Sequence, residues 1–132
     1  MPSCNRADLK GCYAVDVGDY WNPTFKETYE DTDAEGNTID LPFDFTGYTV
    51  RMRVRATKSG VDLLTLSEVG DDQTTGIYFA DKTTGEFQAI IMGADSLPIT
   101  EGEYLYEIGV TDPNGNETVF LNGKIVFNEV FS

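Results

Sequence analysis

From about residue 48 onward, apolar and polar positions alternate with a period of two, and no segment shows a helical period. The clearest strand covers residues 48–56. Val50, Met52, Val54 and Ala56 point to one side and Arg51, Arg53 and Arg55 to the other, as expected of a half-buried strand with a basic outer face. Further strands are predicted at 62–66, 76–80, 86–92 and 103–110. The turn at 81–85 joins the second and third of these, with Gly85 expected to supply the positive φ that closes the hairpin. In the strand at 103–110, Tyr104, Tyr106, Ile108 and Val110 share one face. Asp112-Pro113-Asn114-Gly115-Asn116 is strong turn chemistry. Residues 117–130 can be two short strands around an Asn122-Gly123 turn or one long strand with a bulge at Gly123. The uninterrupted apolar pattern favours the long strand.

The first 46 residues are less regular. An opening strand is expected at 12–17, Pro23 breaks the segment after it, and residues 25–30 and 38–41 read as the arms of a hairpin. Its polar tip is Asp31-Thr32-Asp33-Ala34-Glu35-Gly36-Asn37. This gives eight or nine short strands at sandwich-like spacing. The predicted fold is all-β, a single immunoglobulin-like antiparallel β-sandwich spanning 1–132, with 1–46 irregular and 47–132 as the core. Leu97, Gly102 and Tyr104 at the entry to a strand add to this reading. They resemble a tyrosine corner, in which a Tyr hydroxyl bonds back to upstream backbone.

Charge narrows the choice of partner. Nine basic residues against 23 acidic give a net charge of −14, the wrong sign for phosphate backbones or an anionic bilayer, so neither nucleic acid nor membrane is an expected partner. No apolar run approaches the ~20 residues of a membrane span, and the N-terminus lacks the apolar stretch of a signal peptide, so folding in the cytoplasm is expected. Only Cys4 and Cys12 are present. A disulfide between them is geometrically conceivable, but a core of this size does not require one.

Several groups invite chemistry. Asp31, Asp33, Glu35 and Gly36 match the opening of an EF-hand loop, but Pro42 stands where its twelfth-position Glu belongs, so a solvated hairpin tip is the better account. The ladder of Arg51, Arg53 and Arg55 could clasp acidic groups of a partner. Pairing with Glu103 and Glu107 of a neighbouring strand is the expected alternative. The chain has no His, and no nucleophile motif, phosphate-cradling Gly loop or metal-ligand cluster stands out. No catalytic residue, metal or cofactor is therefore assigned, and the chain is not expected to be an enzyme. Tyr13, Tyr20, Trp21, Phe25 and Tyr29 crowd the N-terminal quarter. They either cap one end of the sandwich or form a contact surface.

Residues 43–131 resemble a known family. The features are Phe45-Thr46-Gly47-Tyr48 leading into the Arg ladder, Leu63-Leu64-Thr65-Leu66, Thr84-Gly85-Glu86-Phe87, Leu97, Gly102-Glu103-Tyr104-Leu105-Tyr106-Glu107-Ile108, and Phe120-Leu121-Asn122-Gly123-Lys124-Ile125-Val126. Their order is similar to small structural proteins of tailed bacteriophages akin to the N-terminal domain of baseplate upper proteins. The resemblance implies a virion component: an assembly or adaptor protein of tail, neck, baseplate or fibre attachment. It would contact other virion structural proteins and assemble as a trimer or hexamer. Family members often continue into a receptor-binding region, whereas this sequence stops at Ser132, which leaves a capsid decoration protein as an alternative. A carbohydrate-binding or adhesin-like sandwich is the other reading, and it would need a flat row of exposed Trp or Tyr.

Overall fold

The computed structural model describes residues 12–129, where the chain forms two facing β-sheets and a separate hairpin. The strands are β1 (Cys12–Asp16), β2 (Thr24–Lys26), β3 (Thr28–Thr32), β4 (Thr38–Pro42), β5 (Thr49–Arg55) and β6 (Asp62–Leu66). They continue with β7 (Glu68–Val69), β8 (Gly76–Tyr78), β9 (Glu86–Ile90), β10 (Gly102–Thr111) and β11 (Glu117–Asn128). A single helical turn, α1 (Gly93–Ser96), lies between β9 and β10.

One sheet runs β1-β11-β10-β5-β6 and the other β2-β9-β8-β7, while β3 and β4 pair only with each other. In immunoglobulin terms β11, β10, β5 and β6 follow the order G, F, C, C′, and β2, β9 and β8 follow B, E, D. The fold is an all-β, immunoglobulin-like sandwich. Its pairings are antiparallel except at β1–β11 and β7–β8, which are parallel.

Alternation along the strands builds the core. Val50, Met52 and Val54 of β5, Tyr106 and Ile108 of β10, and Ile125 and Phe127 of β11 face Phe25, Ile77, Phe87 and Ala89 of the second sheet in one buried cluster. Phe87 is its hub, stacked on Phe25 at 5.3 Å and touching Phe45 and Phe79 at 5.8 and 5.5 Å. Lys82 closes one end of the sandwich, donating to the Tyr48 carbonyl at 2.6 Å and to Glu68 at 3.0 Å, while Glu68 accepts from the Val50 amide at 2.8 Å. At the entry to β10 the Tyr104 hydroxyl donates to the Thr100 carbonyl at 2.5 Å, the back-bond of a tyrosine corner. Leu97 of that motif stands exposed, and Ile99 packs against the core instead.

The structure corrects several expectations. There are eleven described strands, because the predicted arm at 25–30 divides into β2 and β3 and because the two-residue β7 carries no periodic signal. Phe25 therefore belongs to a core strand and not to the hairpin. β11 is one long strand, but its bulge falls at Phe120: Ile108 pairs with Leu121 and Gly109 with Val119, while Gly123 sits in register opposite Tyr106. Ala56 lies beyond the end of β5 and is exposed. Cys4 and the side chain of Cys12 lie outside the described residues.

The Asp33 and Asp112 turns share one construction. In each, the Asp carboxylate accepts from the amides two and four residues on, and a glycine at the fourth turn position, Gly36 or Gly115, holds φ of 85° or 89°. The acidic tip thus spends Asp33 on its own backbone, which explains the partial likeness to a calcium loop.

Removing the Tyr104 hydroxyl with Tyr104→Phe is expected to cost about 0.5–1.5 kcal/mol in urea unfolding, one hydrogen bond. Phe87→Ala is expected to cost about 3–5 kcal/mol, because it empties the centre of the aromatic cluster.

Candidate functional site

The arm formed by β3 and β4 is the most exposed element of the molecule. Every residue of β3 is exposed, and β4 alternates between exposed and half-buried. Register places Tyr29, Asp31, Ile39 and Leu41 on one face and Thr28, Glu30, Thr32, Thr38, Asp40 and Pro42 on the other. Glu30 and Asp40 stand directly opposite each other, a like-charge pair that weakens a hairpin. Residues 28–42 hold five carboxylates (Glu30, Asp31, Asp33, Glu35, Asp40) and no Lys or Arg.

The root of the arm is firm. The Glu27 amide donates to the Gly85 carbonyl at 2.8 Å, and the Phe43 amide donates to the Glu27 carbonyl at 3.0 Å. Gly85 is needed twice at this root. Its φ is 75°, as the turn requires, and a Cβ there would lie 2.4 Å from the Glu27 carbonyl oxygen and 2.9 Å from the Phe43 nitrogen. Phe43 then packs on Phe45 at 4.8 Å and Tyr48 at 5.4 Å, anchoring the arm to the core.

The second surface is the outer face of the five-stranded sheet. Across β5, β10 and β11, register forms three rows: Arg55–Leu105–Lys124, Arg53–Glu107–Asn122 and Arg51–Gly109–Val119. Asp62 on β6 holds Arg55 at 2.5 Å and Arg53 at 3.8 Å, and Glu117 reaches Arg53 at 3.4 Å. The Asp62 bond raises the Arg55 pKa further above its ordinary value. The expected partners are thus partly replaced. Glu107 does approach Arg55, at 3.9 Å, whereas Glu103 pairs with Lys124 at 3.1 Å and not with the ladder. The reason is register: the β10–β5 pairing ends at Leu105–Arg55, so Glu103 lies beyond the end of β5, while β11 continues beside it and brings Lys124 within reach. Arg51 forms no ion pair among the described residues.

Arg53, Arg55, Lys58, Leu105, Glu107 and Asn122 line a shallow depression of about 220 Å³ on this face. Leu63, Leu105 and Val119 are about 40% exposed there. Leu63 is turned outward by a bulge in the β5–β6 pairing, which matches Val54 to Leu64 but Arg55 to Asp62. None of these three apolar residues is a candidate on sequence grounds. Only Leu105 carries a legible signal, since it alternates with the core-facing Tyr104 and Tyr106.

The aromatic group predicted as one surface is divided. Tyr13 packs on Trp21, Phe25 and Tyr106 at 6.0, 5.1 and 5.6 Å, and Phe25 is buried, so these side chains serve the core. Burial, with Tyr13 as neighbour, pushes the Tyr106 phenol up to about 12. Tyr20 is exposed but donates its hydroxyl to the Asp72 carbonyl. Tyr29, 45% exposed on the arm, is the member of the group whose ring is left for a contact. No group of three or more metal-ligating side chains occurs among the described residues. No helix among them is long and apolar enough to cross a membrane.

No protein-family model and no curated protein matches the chain. Among solved structures, murine CRIg is similar with a TM-score of 0.39 and 14% identity, covering 92% of this chain and 93% of that one. The fold assignment rests on the strand order and register of this chain.

Gly85→Ala is expected to lower stability by about 1–3 kcal/mol through backbone strain and to loosen the root of the arm. Urea unfolding together with amide exchange at Glu27 and Phe43 would check both effects. The carboxylates near the root respond oppositely to pH. Hydrogen bonds from Thr83 hold Asp81, and hydrogen bonds from Thr46 hold Asp44, below the usual Asp value, so both contribute stability at neutral pH that is lost on acidification. Burial raises Glu27, so its charge opposes folding above the ordinary Glu range. Glu27→Gln is therefore expected to raise the melting temperature at pH 7, with the gain vanishing below about pH 4, whereas Asp81→Asn lowers it at pH 7 and flattens the acid limb.

Proposed function

We propose that this protein is a structural component of a tailed-bacteriophage virion, an assembly adaptor of tail, neck, baseplate or fibre attachment that works through protein contacts. The observation that carries the reading is the β3–β4 arm. An isolated two-stranded hairpin is marginal in water, yet this one stands outside both sheets with Tyr29 exposed and Ile39 and Leu41 only half-buried. Such an element gains its remaining buried area from another protein. The order of residues shared with the N-terminal domain of baseplate upper proteins supplies the virion context, and the net charge of −14 favours a basic protein surface as the partner.

In this reading the fold is a rigid platform. The clasp of Lys82, Glu68 and Tyr48 holds the two sheets together at the end from which the arm leaves, so the arm is presented at a fixed angle. In this reading both the arm and the outer sheet face act by shape, charge and area.

Light scattering of the purified chain, alone and mixed with individual tail, neck, baseplate and capsid proteins of its phage, tests the role. Stoichiometric capture by one tail-side protein is the expected result. Capture by the capsid protein would move the chain to the head as a decoration protein, and failure to bind any of them would end the adaptor reading.

A further inference from the structure

The charge of the molecule is unevenly placed. On the outer face of the five-stranded sheet, five basic residues (Arg51, Arg53, Arg55, Lys58, Lys124) stand against five acidic ones (Asp16, Asp62, Glu103, Glu107, Glu117), so the face is neutral. The whole net charge of −14 therefore belongs to the rest of the chain. Five of its carboxylates sit on the arm without a cation among residues 28–42. An acidic arm is repelled by most of another copy's surface but not by this face, where Arg51 has a guanidinium unpaired among the described residues.

The apolar parts match as well. The arm presents Tyr29, Ile39 and Leu41 along one face, next to Asp31. The sheet face exposes Val119 in the same row as Arg51, with the side-chain-free Gly109 between them, and Leu105 two rows along. In this row the Glu117 side chain lies over Gly109, its carboxylate 3.4 Å from where a Cβ would sit, with Arg51 at one end and Val119 at the other.

We propose that the β3–β4 arm of one copy lies on the outer face of the five-stranded sheet of the next copy. Asp31 of the arm reaches Arg51, and Tyr29, Ile39 and Leu41 cover Val119 and Leu105. The occupant is a second copy of this chain, because the same chain carries both complementary surfaces. Arm and face are different patches, so the contact is heterologous and repeats around a ring or along a fibre. This deepens the protein-contact reading above and rests on it.

Charge reversal with rescue tests the contact. An arm variant, Asp31→Lys, on the same arm face as Tyr29, Ile39 and Leu41, and a face variant, Arg51→Glu, change solvent-accessible positions, and circular dichroism checks that each stays folded. At low salt the full-length chain is expected to scatter as a multiple of 14.6 kDa and to dissociate in ~1 M NaCl, where screening is nearly complete. Each variant alone is expected to need a concentration at least about tenfold higher for half-assembly. An equimolar mixture is expected to recover assembly, because the lysine introduced on one variant's arm meets the glutamate introduced on the other's face. A chain that stays monomeric at every concentration, an oligomer indifferent to both reversals, or a mixture without rescue would each overturn the proposal. A monomer captured by a tail protein defeats this contact and leaves the adaptor role standing. A charge-dependent ring that binds no virion protein does the reverse.

Discussion

An aromatic bridge between the sheets is the contact on which the rest of the structure depends. Tyr13 of β1 and Tyr106 of β10 belong to one sheet, Phe25 of β2 and Phe87 of β9 to the other, and the rings meet at 5.1–5.6 Å. In antibody domains the residue two beyond the corner tyrosine is a cysteine that ties the sheets covalently. Here that position is Tyr106, and packing replaces the bond. Offset and edge-to-face ring pairs add about 0.5–1.5 kcal/mol each beyond the area they bury.

With the layers fixed, the loops at one end become scaffolding. Gly85, the Lys82 clasp and Phe43 all converge where the arm leaves the body. The arm itself contributes little to the core, while its root is among the most crowded backbone in the molecule. A rigid base beneath an exposed, charged projection suits an element whose partner lies outside its own copy.

Period-two alternation makes β5 and β10 legible, because each buries one face and wets the other. Asp and Gly at fixed offsets likewise mark the turns at Asp112 and Gly85. The features that stay hidden depend on neighbours distant in sequence. The pairing of Glu103 with Lys124, and not with the arginines, is set by where the β10–β5 register ends, which alternation does not encode. Gly123 looks like a bulge because glycine often marks one, yet it pairs in register across from a tyrosine, and the extra residue is Phe120. The aromatic cluster is visible in the sequence as composition only. Tyr13, Trp21 and Phe25 go to the interior and Tyr29 to the surface because the arm begins three residues after Phe25, a boundary with no Gly or Pro to announce it. The exposed Leu63 depends on a bulge that no local pattern predicts.

The parallel pairing of β1 with β11 has a mechanical side. Cys12 lies beside Lys124 and Asp16 beside Asn128, so the two strands run in the same direction over their shared length. A pull applied between the start of β1 and the end of β11 slides one strand along the other. Every hydrogen bond in that ladder is then loaded at once, whereas peeling a hairpin apart breaks its bonds one by one. The sandwich therefore resists tension along the chain better than tension across it, and a force transmitted end to end meets a ladder loaded in shear.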